Sequence, residues 1–216
     1  GRIGLQLRRR GHRLDIRKPR FGCALPSSLE GYAGAVVFGG PMSANDCDDF
    51  IKREIDWIGV PLAQGVPFLG VCLGAQMLAK PRGAPVTVHP EALVEIGYCP
   101  IAPTTAGAKF GVWPEQVYHW HREGFELPRG AILLAHGATF QNQAYAYGPA
   151  AVGVQFHPEI TYALVNKWSV DASHRLGLKG AQSRDAQLAG HMCHAAAVDR
   201  WLDGMLGRWL TGAVTG

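Results

Sequence analysis

VPFLGVCLGAQMLAK, residues 66 to 80, joins an apolar run to a run of helical character through Gly70-Val71-Cys72-Leu73-Gly74. A buried structural cysteine needs no glycine on either side. A nucleophile held at a tight strand-to-helix turn does, because neighbouring backbone passes too close there for a Cβ. The turn lifts the side chain above the sheet, and the unpaired N–H groups at the start of the helix favour thiolate over thiol. Cys72 is therefore the candidate nucleophile, and this stretch predicts strand, elbow and helix, with Pro81 ending or shortening the helix.

Outward from the elbow, strand and helix alternate. GAVVFGG (34–40) reads as a buried parallel strand, and DDFIKREIDWIGV (48–60) carries apolar residues at helical spacing. HRLDI (12–16) reads as a short strand after a helix ending near Gly11. PVTV, LVEIGYCPIAPT and QVYHWHREGFELP read as strands and turns. AILLAH (131–136), QAYAYG (143–148) and AVGVQF (151–156) are spaced closely enough for an antiparallel arm. From Glu159 onward the pattern is helical, with an amphipathic stretch over 196–210. The expected fold is α/β: a doubly wound, mostly parallel sheet flanked by helices, flavodoxin-like, with its first strand missing. The expected organisation is one domain over 1–216 with a C-terminal helical extension from about residue 160.

Composition narrows the class. With 47% hydrophobic and 18% charged residues, the 216-residue chain fits a packed globular protein. No apolar run is long enough to span a bilayer, so no membrane role is expected. The five cysteines are an odd, widely spaced set without a C-x-x-C pair, which fits reducing cytoplasm. The net charge of +4 is concentrated in Arg8, Arg9, Arg10, Arg13, Arg17, Lys18 and Arg20. No aromatic residues interleave that run, so a solvated surface is expected rather than nucleic-acid binding.

Partners for the cysteine lie elsewhere in the chain. VQFHPEI (154–160) puts His157 and Glu159 at the end of an apolar strand, two residues apart and so on one face. Pro158 biases His157 towards extended backbone. An imidazole with a carboxylate to fix its tautomer is the base that a thiol nucleophile requires. In VVFGGPMSAND, Gly39 and Gly40 leave backbone N–H groups in an exposed loop, and that of Gly40 joins that of Leu73 as a candidate oxyanion hole.

Through FGGPMS, GVCLGAQ, YHWHRE, NQAYAYG and GVQFHPE, from about Gly34 to Glu159, the sequence resembles the class I glutamine amidotransferase domain of the cysteine-triad type. It is most similar to the stand-alone GMP-synthase-like members. The resemblance implies glutamine hydrolysis by Cys72, His157 and Glu159, with Gly40 and Leu73 as oxyanion donors. It implies that Gly39, Gln76, Trp120 and His121 bind substrate, and that no metal or organic cofactor is required. No SGG-x-DS loop of an ATP pyrophosphatase occurs, so any acceptor of ammonia is expected to be a separate synthetase chain. Two other readings remain: a hydrolase of another γ-glutamyl amide, and a non-catalytic interaction module that keeps the fold. His119, near Glu123, is expected in the substrate wall. His191 and His194, flanking Cys193, are expected on a helix surface rather than at a metal.

Overall fold

A computed structural model describes residues 1–212. Its centre is a seven-stranded sheet built from β1 (Ala35–Val37), β2 (Phe68–Val71), β4 (Glu95–Pro103), β5 (Gln116–His121), β7 (Ile132–Gly137), β8 (Asn142–Tyr147) and β9 (Ala151–Val154). Their spatial order is β1-β2-β9-β8-β7-β4-β5, while β3 (Val86–Val88) and β6 (Glu123–Phe125) form a separate antiparallel pair. The helices are α1 (Arg2–Arg9), α2 (Asp49–Trp57), α3 (Gly59–Ala63), α4 (Leu73–Ala79), α5 (Thr105–Ala108), α6 (Tyr162–Asp171) and α7 (Arg184–Leu210).

The α/β class, with helices on both faces of a central sheet, is as the sequence predicts. The balance within the sheet differs: β1, β2 and β9 run parallel, whereas β8, β7, β4 and β5 continue it antiparallel. Short connections force this, since the few residues between β7, β8 and β9 close hairpins and cannot carry a crossover.

HRLDI does not form a strand. Its alternating pattern is adequate, but a strand exists only through a partner, and among the described residues β1 is hydrogen-bonded to β2 alone. Helix α4 ends at Ala79, and a single 3-10 turn over Lys80–Arg82 accommodates Pro81.

Alternation along the strands feeds two cores. Leu69, Val71, Val152 and Val154 face Ile3 and Leu7 of α1 and Val198, Trp201, Leu202 and Met205 of α7. Phe68 and Val37 face the other way, against Ile51 of α2 and Met77 and Leu78 of α4. Ser183 caps α7 by accepting from Ala186 N, and Thr161 caps α6 by accepting from Leu164 N. Part of the basic N-terminal region is anchored here, because Arg2 Nη1 donates to Ala195 O at 2.7 Å and Arg10 Nη1 to Asp203 Oδ1 at 2.7 Å.

Candidate active site

The elbow forms as its glycines predict. Cys72 sits between β2 and α4 with φ 50° and ψ −105°, a left-handed conformation that few side chains adopt. A Cβ on Gly70 would lie 2.5 Å from Gly74 O, and one on Gly74 would collide with Val37 O. These two glycines let the first turn of α4 fold back against β2 and β1.

Strand register brings the distant partners in. β2 and β9 are parallel neighbours with Val71 opposite Val154, and Cys72 N donates to Val154 O at 2.7 Å. Both strands therefore end at the same edge of the sheet, where α/β folds place their ligands. Two residues beyond Gln155, His157 is pinned by its backbone N–H donating to Tyr118 O at 2.8 Å. Its Nδ1 donates to Glu159 Oε1 at 2.8 Å. A Cβ on Gly39 would lie 2.9 Å from His157 Cε1 and 3.7 Å from Cys72 Sγ, so this glycine leaves room where the two side chains meet.

Cys72, His157 and Glu159 are all buried, at 5%, 4% and 8% exposure, and this decides the electrostatics. Burial alone would push His157 down. Glu159 and then Cys72 more than offset it through charge and hydrogen bonding, and the imidazole is pushed up to about 10.

The oxyanion candidates flank the sulfur. Leu73 is the first residue of α4, so its N–H has no partner within the helix. Gly40 lies beside it: a Cβ there would sit 3.7 Å from Leu73 Cδ2. Gly40, Cys72, Leu73, Gln76, Trp120 and His121 line one cleft. Gln76 is buried and donates through Nε2 to Glu123 O at 2.9 Å and to Gln155 Oε1 at 3.2 Å, tying α4 to the far wall.

Three features of the site lie outside the sequence reading. Gln155 Nε2 approaches Cys72 Sγ at 3.6 Å, and its place two residues before His157 is the signal that would have found it. Arg175, from the turn after α6, lines the same cleft half-buried and without an ion-pair partner among the described residues. Its distance from the elbow in sequence leaves no local signal.

The third feature is Glu95 on β4. It pairs in register with His121, and its Oε2 lies 3.0 Å from His121 Nε2, 3.4 Å from His119 Nδ1 and 2.9 Å from Gln143 Nε2. His119 is thus not in the substrate wall; it is fully buried behind His121. Burial works against charge on both groups. On His119 burial dominates and pushes the ring down, whereas on Glu95 the neighbouring His119, His121 and Gln143 outweigh it and push the carboxyl down. Among the described residues these three form the one cluster of His, Cys, Asp or Glu spaced to hold a metal ion.

His191 is not on a surface either. It is buried, its Nδ1 lies 2.8 Å from the Tyr98 hydroxyl, and its Nε2 lies near Arg2. Burial and then the Arg2 charge push its pKa down.

The family model for class-I glutamine amidotransferases matches residues 3–167. The chain belongs to that family. A glutamine amidotransferase-like protein of Salmonella typhimurium, YfeJ, is 34% identical over 167 residues, covering 72% of this chain and 69% of the relative. One subunit of the glutamine-hydrolysing GMP synthase of Thermoplasma acidophilum is 30% identical over 146 residues, covering 63% of this chain and 68% of the relative. The chain spans only 26% of the GMP synthase of Cytophaga hutchinsonii, to which it is 31% identical over 144 residues. A crystal structure of a glutamine amidotransferase from Methylobacillus flagellatus superimposes with a TM-score of 0.91 at 28% identity, over 98% of this chain and 89% of that one. Among the described residues, no helix of this class-I amidotransferase is long and apolar enough to cross a membrane.

Proposed function

We propose that this class-I amidotransferase hydrolyses the side-chain amide of glutamine to glutamate and ammonia through a thioester on Cys72. The observation that carries the reading is the meeting of the Cys72 sulfur and the Glu159-bound His157 at one edge of the sheet, beside the N–H groups of Gly40 and Leu73. Sulfur attacks the amide carbon, and the two backbone donors hold the oxygen as it becomes negative. Charged His157, steadied by Glu159, passes a proton to the departing nitrogen. Carbon–nitrogen cleavage then releases ammonia and leaves a γ-glutamyl thioester. Neutral His157 next takes a proton from water as it attacks the thioester, and expulsion of the sulfur releases glutamate and restores the thiolate beside charged His157. Every step is a proton transfer or acyl transfer, so no metal or organic cofactor takes part.

Gly39 clears the meeting point, and Gln76, Trp120 and His121 form the walls that hold the glutamine. Residues 1–216 act as one amidotransferase domain whose helical part from about residue 160 closes the core and supplies Arg175. The relationship to one chain of a multi-chain GMP synthase supports delivery of ammonia to a separate synthetase chain. The free thiols of Cys23, Cys47 and Cys193, all exposed, support a reducing cytoplasmic setting.

Assay of the purified chain against glutamine and a panel of γ-glutamyl conjugates tests the substrate. Glutamate and ammonia released in equal amounts from glutamine are expected. Turnover of a polyamine or peptide conjugate with negligible turnover of glutamine would move the same machinery to the other γ-glutamyl amides. Hydrolysis identical in Cys72→Ala would leave only a non-catalytic module.

A further inference from the structure

Behind His121, the cluster of Glu95, His119 and His121 is not used by the cysteine chemistry. Its residues are 2%, 0% and 6% exposed, and its three facing atoms, Glu95 Oε2, His119 Nδ1 and His121 Nε2, are separated by 3.0, 3.2 and 3.4 Å. Pairing of β4 with β5 sets Glu95 opposite His121, and His119 projects on the same face two residues earlier. The arrangement is thus fixed by backbone, not by loose side chains.

The available protons do not satisfy it. His121 Nδ1 lies 3.0 Å from Glu123 O, a carbonyl that can only accept, so Nδ1 carries that ring's proton and Nε2 presents a lone pair. Gln143 Nε2 spends its two hydrogens on Glu95 Oε2 and Phe140 O. One hydrogen, on His119 Nδ1, is left for two lone-pair atoms that face each other at 3.0 Å. His119 Nε2 is buried without a partner among the described residues, so the ring has no second hydrogen bond to offset this shortage.

We propose that this cluster is a binding site for a divalent transition-metal ion of the zinc type, held by His119 Nδ1, His121 Nε2 and Glu95 Oε2. A metal with bonds of about 2.0–2.1 Å sets neighbouring ligand atoms about 2.9–3.4 Å apart, the spacing already present. Two imidazoles and one carboxylate are a ligand set that suits zinc and its neighbours and leaves a position for water or another ligand. A proton on His121 Nε2 would relieve one edge of the triangle; a metal satisfies all three. The outer contacts also fit. His121 donates its other N–H to a backbone carbonyl and Gln143 donates to the carboxylate, as partners that orient metal ligands do. His121 lines the cleft, which gives the ion an entry path. Bound there, the ion fixes the wall of the glutamine pocket from behind without touching Cys72.

The test uses the full chain carrying Cys72→Ala, so that the Cys72–His157 pair cannot compete for metal. After chelator treatment, calorimetric titration with Zn²⁺ is expected to give one equivalent bound with Kd of about 10 μM or tighter. The Co²⁺ form should show visible d–d bands without a thiolate charge-transfer band. Adding His119→Gln or Glu95→Gln should weaken binding about 100-fold. Should those buried substitutions prevent folding, ¹⁵N spectra of the histidine rings in Cys72→Ala alone decide: saturating Zn²⁺ should shift His119 Nδ1 and His121 Nε2. No saturable equivalent, a thiolate band, unchanged affinity in folded variants, or ring shifts at His191 and His194 instead would each overturn the proposal.

Discussion

The Nδ1 of His157 donates to Oε1 of Glu159 across 2.8 Å, within a site where neither side chain is more than 10% exposed. The pair stands two residues apart beyond β9 in a turn, not on extended chain as its spacing predicts, and the turn is closed by Ile160 N donating to His157 O at 3.3 Å. The partner of His157 on its other side is a cysteine 85 positions earlier in the chain (157 − 72). The parallel register of β2 and β9 delivers it.

Replacing Glu159 with Gln should keep the fold and lower kcat for glutamine about 10⁴-fold, because a neutral amide neither stabilises the imidazolium nor selects its tautomer. Steady-state kinetics check this, and a loss of less than tenfold would contradict the role.

The same pair gives stability a pH signature. His157 stands at about 10 in the folded chain against an ordinary value of 6.5. A value raised on folding contributes stability that is fully present below about 6.5 and is lost as pH climbs through 10. Urea denaturation at pH 6, 8 and 10 should show this decline in the parent. It should be much flatter in Glu159→Gln, which lacks the largest of the influences that raise His157.

Gly39→Ala and Gly74→Ala separate site from scaffold. The atoms nearest the new methyl at Gly39 are His157 Cε1 and the Cβ and Sγ of Cys72, so the chain should fold and lose most of its glutamine turnover. At Gly74 the methyl meets the Val37 carbonyl, which is backbone and cannot swing aside. That variant should lose about 3 kcal/mol or more of stability, measured by urea unfolding.

Much of this was legible in the sequence, and the pattern of success is physical. The elbow and the His-x-Glu pair are local: two glycines around a cysteine and a spacing of two each specify geometry within a few residues. The antiparallel arm was legible from its short connections. Glu95 was not, because it meets His121 across paired strands 26 residues apart, a register that no single stretch encodes. HRLDI misled for the opposite reason, since its own pattern was sound but no described residue pairs with it as a strand. His191 was hidden likewise, because the contact between α7 and β4 that buries it against Tyr98 is long-range.

Arg175 faces the cleft half-buried and without a carboxylate among the described residues, which fits it to the α-carboxylate of a bound glutamine. Arg175→Gln should raise KM about tenfold or more with kcat changed less than threefold, the split expected when binding energy is lost equally from ground and transition states. A fall in kcat at constant KM would contradict it.

The most direct measurement is mass spectrometry of the intact chain and its peptides after incubation with a chloroketone analogue of glutamine. One adduct, on Cys72, suppressed by excess glutamine, is the expected result. An unmodified Cys72, or label spread over Cys23, Cys47, Cys99 and Cys193 regardless of glutamine, would contradict a thiol nucleophile built to attack that amide.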